Sequence, residues 1–442
     1  MLTTTIPAAL PRAPPRTSLE RVKPRYAYPP ELALYVREHW PEGRTLTIPD
    51  QQLRDVLSVC FGASLTSDEA RPTRFRLLLT DPAALPLDGA PNQGVLRLPF
   101  AETRPLNSDE LKNLSPSAPF ETTLIGAHHA TGRLRIWGLA HSGPAWLAPT
   151  WGGRSLVSNW TYDPIVHVTG PGRVVVRCAG KIVGGLERGE LINATIDVFD
   201  SVWLPAMFAR ERQEVQDQHA VGQARTVSPT AADQSLIGRV GQHMLRRAIQ
   251  LVRNARHGGM FLIASTELGP PPLVPPDNVA LKYRFDDSEP TRRYRTLLLD
   301  ILERLSGATT NPLVDWSDFA RDTDPDLEKL EQSIFEMSRL FASLAAIDGA
   351  VVLDKRFGIL GFGGEVSGEL PSPIRVWRAL DVEGHERERA SVEDVGTRHR
   401  AAYRFVHRHP QGLAIVISQD GGVTFVANQD DGVVFWEQSV GP

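Results

Sequence analysis

One junction constrains the fold of this chain more than any other. Residues 327–347, LEKLEQSIFEMSRLFASLAAI, place Ile334, Met337, Phe341 and Leu344 on one face of a long helix. That helix runs without a spacer into Asp348-Gly349-Ala350 and then an apolar run, Val351-Val352-Leu353. A helix feeding directly into a buried strand is the repeating unit of α/β folds. After Gly258 the order reads strand, insertion, helix, strand, strand, loop, helix, strand, strand. GLAIVISQ and GVTFVANQ flank Asp420-Gly421-Gly422 as an antiparallel pair. The expected class is α/β (α+β overall), with a C-terminal mixed sheet flanked by helices and an N-terminal β-rich α/β module.

At 442 residues the chain exceeds one ordinary core. Residues 1–25, rich in proline, read as a disordered arm, and 26–205 as an N-terminal sensor or regulatory domain. There ELALYVREHW and QQLRDVLSVCF predict helices and RFRLLLT a strand. From about 120, RLRIWGLA, IVHVTG, RVVVRCAGKIVGGL and ATIDVFDSVWL predict strands separated by Gly-Pro turns. Residues 206–239 read as a helical linker, interrupted near Thr226-Val227-Ser228-Pro229. Residues 240–442 form the second domain, with an insertion at about 268–330 containing the proline-rich PPPLVPPD and the helix TRRYRTLLLDILERL. SLIGRVGQHMLRRAIQLVRNARH is an amphipathic helix that Gly258-Gly259 ends, and MFLIAS is a buried strand.

Charge and cysteine content exclude several classes. A net charge of -4 offers no global attraction to nucleic acid or anionic membrane. Cys60 and Cys178 stand far apart, outside any zinc or disulfide pattern, as in a reducing cytoplasm. No signal peptide or membrane span is expected.

Three motifs carry chemistry. Thr397, after Gly396, is a plausible N-cap for RHRAAYRFVHRH. A helix start bearing Arg398 and His399 can hold phosphates, although a solvated basic helix start is the plainer reading. Asp348 could hold a divalent metal or simply make a turn. Ser418-Gln419-Asp420, ending a buried strand, offers a hydroxyl for phosphate and a second carboxylate for metal. Jointly they predict a metal–triphosphate site at one sheet edge.

DGAVVLD, GTRHRAA and VISQDGGV resemble the diadenylate cyclase domain, and LRRAIQLVRNARHGGMFLIAS is similar to its opening helix and strand. The resemblance covers roughly 240–442. It implies that two ATP are condensed into cyclic di-AMP with Mg²⁺ or Mn²⁺, across a homodimer or higher homo-oligomer. Asp348 would be the catalytic metal ligand, with Asp420 as a second. Gly349 and Ala350 would admit the adenosine to the backbone. Thr397, Arg398 and His399 would grip phosphates, Arg400 would be structural, and Ser418 would contact the terminal phosphates. The chain departs from the family near the adenine, where GFGGEVSGELPSP replaces a Leu-Pro-Leu-Ser-like segment, and at Gln419, where an acid is common. The 30–200 region resembles, in general character rather than by a motif, the DACNV-type sensor region ahead of some diadenylate cyclase domains. It would answer to an unknown ligand or protein, a dimerisation module being the alternative.

Other constellations weigh less. His399, His407 and His409 invite zinc, but His407 and His409 sit at a helix end where cations favour the dipole. Arg246, Arg247, Arg253 and Arg256 with Arg292, Arg293 and Arg295 could form a DNA-binding face, but apolar residues interleave them. No P-loop or GxSxG elbow occurs, and Gly361-Phe362-Gly363-Gly364 is no dinucleotide fingerprint. A nucleotide sensor that keeps the ATP pocket without turnover is the other class of function.

Overall fold

The computed structural model describes residues 26–68, 71–85, 95–130, 132–143, 152–154, 163–187, 189–192, 196–224, 229–265, 279–366, 370–429 and 432–438. The arm 1–25, the PPPLVPPD loop and Thr226-Val227-Ser228 lie outside these residues. The protein is α/β, with two large mixed sheets, each packed against helices.

Beyond a short pair, β1 (Ser67–Asp68) and β2 (Arg71–Pro72), the first sheet comprises eight strands. They are β3 (Phe75–Leu79), β4 (Leu96–Pro105), β5 (Thr123–Ala130), β6 (Arg133–His141), β7 (Ile165–Gly170), β8 (Arg173–Cys178), β9 (Lys181–Glu187) and β10 (Glu190–Ile192), ordered β10-β9-β8-β7-β3-β5-β6-β4. Only β3 and β5 pair in parallel. Helices Pro29–Glu38, Asp50–Ser64 and Ser108–Leu114 contribute to the core on one face, through Leu32, Val36, Leu53, Leu57 and Leu111. Strand β4 precedes the expected onset of β structure at about 120. It is an edge strand, interrupted after Pro99, where proline costs no central hydrogen bond.

The second sheet has nine strands. After a small parallel pair of β11 (Ala231–Ala232) with β14 (Leu313–Val314), it contains β12 (Gly259–Ala264), β13 (Val279–Arg284), β15 (Ala350–Asp354) and β16 (Ile359–Val366). It continues with β17 (Val376–Ala379), β18 (Arg387–Ala390), β19 (Leu413–Ile417), β20 (Val423–Gln429) and β21 (Gly432–Gln438), ordered β13-β16-β15-β12-β19-β20-β21-β17-β18. Every residue of β12 and β19 is buried, the pattern of strands covered on both faces. One face packs on helices Gln234–Ala255, Arg293–Ala308 and Pro325–Leu344, the other on helix Thr397–Arg408 through Ala402, Phe405 and Val406.

Three expectations change. From Ile196 onward the segment ATIDVFDSVWL is not a strand: Val198–Asp200 is a 3-10 turn and Trp203–Ala206 a helical turn, while Ala194 and Thr195 lie outside the described residues. Asp197 bends it by accepting from the Phe199 amide at 3.1 Å, and is itself held by Arg246 and Gln438, each at 2.9 Å. The cores also divide earlier than residue 205. Val198, Phe199 and Leu204 belong to the second core, and Trp203 stacks on Trp436 at 4.3 Å. The expected linker likewise packs there through Val215, Leu236 and Ile237. Finally, the stretch read as an insertion is integral: β13 hydrogen-bonds to β16, and Leu298, Ile301 and Leu302 are core residues.

Candidate functional site

Strand register brings the motifs to one edge of the second sheet. Parallel β12 and β15 pair Phe261 with Val351, and antiparallel β12 and β19 pair Gly259 with Ile417. Asp348, just before β15, and Ser418, just after β19, therefore flank Gly258 at the same end. The start of helix Thr397–Arg408 reaches this edge, and Arg398 Nη2 lies 3.9 Å from Asp348 Oδ1.

The Asp348 carboxylate is fully exposed and Arg398 one-third exposed, so the pair is screened and free to engage a ligand. Arg398 packs over Gly258: a Cβ there would stand 2.8 Å from the mobile tip atom Arg398 Nη1 and 3.0 Å from the Ile417 carbonyl oxygen. Gly258 also sits at φ +67, following Arg256, whose left-handed φ of +56 ends the 234–255 helix. The terminating residue is thus Arg256 and not the expected Gly258-Gly259 pair.

Thr397 is not the N-cap. Gly396 occupies that position, and no side chain caps the helix start. Leading amide groups without a side-chain cap suit an anion. His399 turns toward the sheet, its Nε2 3.2 Å from Thr424 Oγ1. Burial lowers its pKa, opposed by the charges of Glu437 and Asp420. Arg400 donates to the Val395 carbonyl at 2.9 Å, a local structural bond.

Gly349 and Ala350, expected to admit adenosine to the backbone, each have a packing role in the structure. Gly349 adopts φ +111, and a Cβ there would lie 2.6 Å from the Gly363 carbonyl carbon. Ala350 is only 1% exposed, in the core under the 397–408 helix. The Gly361–Gly364 run belongs to β16 and allows this crossing.

Ser418 to Gly422 form the β19–β20 turn. The Ser418 amide donates to the Gly422 carbonyl at 2.8 Å, and the Gly422 amide donates to Asp420 Oδ1 at 3.2 Å. The exposed Asp420 carboxylate keeps oxygen capacity for a cation. Sequence reasoning missed the residue that positions this turn. Arg253 Nε donates to the Gly421 carbonyl at 2.9 Å and Nη1 to Gln250 at 2.7 Å, while burial lowers its pKa to about 10. The sequence offered Arg253 only as part of a basic face, and the fold shows its partner.

Among the described residues no group of three or more His, Cys, Asp or Glu side chains is gathered to hold a metal. Asp348 and Asp420 together would offer hard oxygen donors and leave coordination positions to water and phosphate, the arrangement that Mg²⁺ or Mn²⁺ accepts. Several of the basic residues considered for DNA are engaged by neighbours within the chain. Arg246 binds Asp197 at 2.9 Å, Arg247 lies 3.7 Å from the Phe335 ring centroid, and Arg292 and Arg293 pair with Asp287 and Glu289.

Residues 152–154 dock on the helices of the second domain. The Gly153 amide donates to His243 Nδ1 at 2.7 Å, and Arg154 forms a part-buried pair with Glu331 at 2.6 Å. No helix among the described residues is long and apolar enough to cross a membrane.

Architecture thus defines an α/β protein of two sheets, with an exposed carboxylate–guanidinium site on the second. Residues 44–141, spanning helix Asp50–Ser64 and strands through β6, match a family described as a probable sensor domain, DACNV. No curated protein and no solved structure matches the chain.

Proposed function

We propose that the second domain is a diadenylate cyclase, condensing two ATP into cyclic di-AMP and pyrophosphate under control of the DACNV-type sensor segment. The observation that carries this reading is the meeting of exposed Asp348 with Arg398 at 3.9 Å, beside a helix start that no side chain caps. The sensor match upstream supports it, because such a region resembles the one placed ahead of diadenylate cyclase domains.

In this reading Arg398 and the 397–399 amides hold the phosphates, and Ser418 takes the terminal ones. Asp348 and Asp420 would hold Mg²⁺ or Mn²⁺, which when bound stabilises charge on the reacting oxygens. His399, tied to Thr424, positions the helix start. Two copies face each other, so that each ribose 3′-oxygen attacks the other nucleotide's α-phosphorus. Each attack forms a P–O bond, expels pyrophosphate and releases the hydroxyl proton to solvent. A homodimer or larger assembly is therefore required.

A second reading, ATP binding without turnover, is favoured by the base-side segment 361–373, which departs from the Leu-Pro-Leu-Ser-like pattern. Purified full-length protein incubated with ATP and Mg²⁺ or Mn²⁺, its products resolved by mass spectrometry, separates the two. Cyclic dinucleotide with two pyrophosphates per product supports the cyclase. Asp348→Asn should then lower turnover at least ~100-fold with an unchanged fold, since the carboxylate is fully exposed. ATP binding by the dimer with no dinucleotide, cyclic or linear, selects the sensor; full activity in Asp348→Asn removes the metal-ligand role.

A further inference from the structure

A cleft of about 620 Å³ opens where the β6–β7 connection of the first sheet meets the helix Gln234–Ala255. Its volume suits a small organic molecule. The floor is one stripe of that helix. Ser235, Arg239, Gln242 and Arg246 follow at spacings of four, three and four, which stacks them on a single face. Gly153, Phe199 and Trp316 stand around this stripe, drawn from three distant parts of the chain.

Charge in the cleft is one-sided. Arg212, Arg239 and Arg246 line it against a single carboxylate among the lining residues, Asp200, which Lys181 engages at 2.7 Å. Two of the arginines lie on aromatic rings: Arg239 is 5.7 Å from the Trp316 centroid and Arg246 4.2 Å from that of Phe199. A guanidinium stacked in this way has one face occupied and its in-plane N–H groups left to donate. Arg246 commits Nη2 to Asp197 at 2.9 Å, whereas Arg239 has no hydrogen bond or ion pair among the described residues. His243 lines the cleft between them. Its Nδ1 accepts from the Gly153 amide at 2.7 Å, so the neutral ring carries its proton on Nε2 and is a donor there. Burial first, and then the charges of Arg246 and Arg239, lower its pKa to about 3, so both guanidiniums act on this one ring.

We propose that this cleft binds a phosphorylated small molecule, its phosphate accepting from Arg239 and Arg246 with the His243 Nε2–H as a further donor. A doubly charged tetrahedral oxyanion has acceptors enough for both forks, which a single carboxylate lacks. A neutral molecule would leave the cations of the cleft unbalanced. The inference is independent of the cyclase reading, because Asp348, Arg398, Ser418 and Asp420 all lie outside the cleft.

The test uses the full chain carrying Arg398→Met, which removes the phosphate-binding cation of the other site. Isothermal titration with inorganic pyrophosphate and with adenosine 5′-monophosphate should show at least one of them saturating at one per chain. Hydrogen exchange should slow over residues 234–246 when that probe is bound. Adding Arg239→Met, at an exposed position, should weaken binding at least ~10-fold with the fold unchanged. The proposal fails if neither probe binds up to about 10 mM. It also fails if Arg239→Met binds as tightly as its parent, or if exchange slows at 397–422 in place of 234–246.

Discussion

Gly349 lies beside the exposed Asp348, and replacing it with alanine tests whether the local geometry is as tight as the structure has it. Two costs add. A residue with a Cβ held at φ +111 is strained by about 1–3 kcal/mol. The new methyl would also stand 2.6 Å from the Gly363 carbonyl carbon and 2.9 Å from the Gly364 nitrogen. Those are backbone atoms of the adjacent strand and cannot swing away, so the overlap costs about 1–3 kcal/mol more. The total is about 2–6 kcal/mol, carried by the β15–β16 pairing. Native-state hydrogen exchange, followed by mass spectrometry over residues 350–366, reads this directly. Even the lower bound predicts amides exchanging about 30-fold faster than in the wild type. Gly396→Ala is the matched control. Gly396 has φ -63 and nothing within 4 Å of its would-be Cβ, so its cost should stay below about 1 kcal/mol. Protection of β15–β16 within about twofold of wild type in Gly349→Ala would refute the crossing argument.

Three further outcomes are expected. Arg253→Met removes the donor to Gly421 from a largely buried position and should destabilise by about 1.5–3 kcal/mol, with faster exchange concentrated at 418–422; exchange unchanged there would remove its positioning role. Arg154→Ala removes the guanidinium from part-buried Glu331, which keeps the residue-154 amide as a donor, and should cost about 1.5–3 kcal/mol, seen as a lower thermal midpoint and as protease access near residues 152–154. His243 has its pKa lowered to about 3, chiefly by burial, so the unfolded chain binds a proton that the folded chain refuses. That contribution is intact above the unfolded value near 6.5 and is lost progressively as pH falls from there toward 3. Between about pH 7.5 and 5.5 the wild type should therefore lose roughly 1 kcal/mol more than His243→Asn, whose amide oxygen can still accept from Gly153; parallel pH profiles would contradict this.

Local periodicity made much of the fold legible. The 234–255 and 325–344 helices and the strands β12, β15, β19 and β20 follow from apolar spacing read within a single element. The 397–408 helix was legible too, but its cap was not: Thr397 has the favoured cap chemistry, yet the chain places Gly396 there. The 194–204 segment misled because its alternating apolar residues resemble a strand. The Asp197 turn that overrides them is fixed by Arg246 and Gln438, neither of them local. Strands β13 and β17 are short and only partly buried, so their sequence carries little alternation to detect.

Sequence alone determined that this is an α/β chain and that its strand and helix ends carry Asp348, Arg398, Ser418 and Asp420. These are properties of neighbouring residues, and spacing records them. Tertiary structure decided which ends meet. Register between β12, β15 and β19 sets Asp348 and Ser418 at one edge, and the start of the 397–408 helix brings Arg398 to within 3.9 Å of Asp348. It also turned Arg253 from a basic surface candidate into the support of the β19–β20 turn, and gathered Gly153, Arg239 and Trp316 around one cleft. Such juxtapositions join residues far apart in the chain through hydrogen bonds and packing, and no local pattern encodes them.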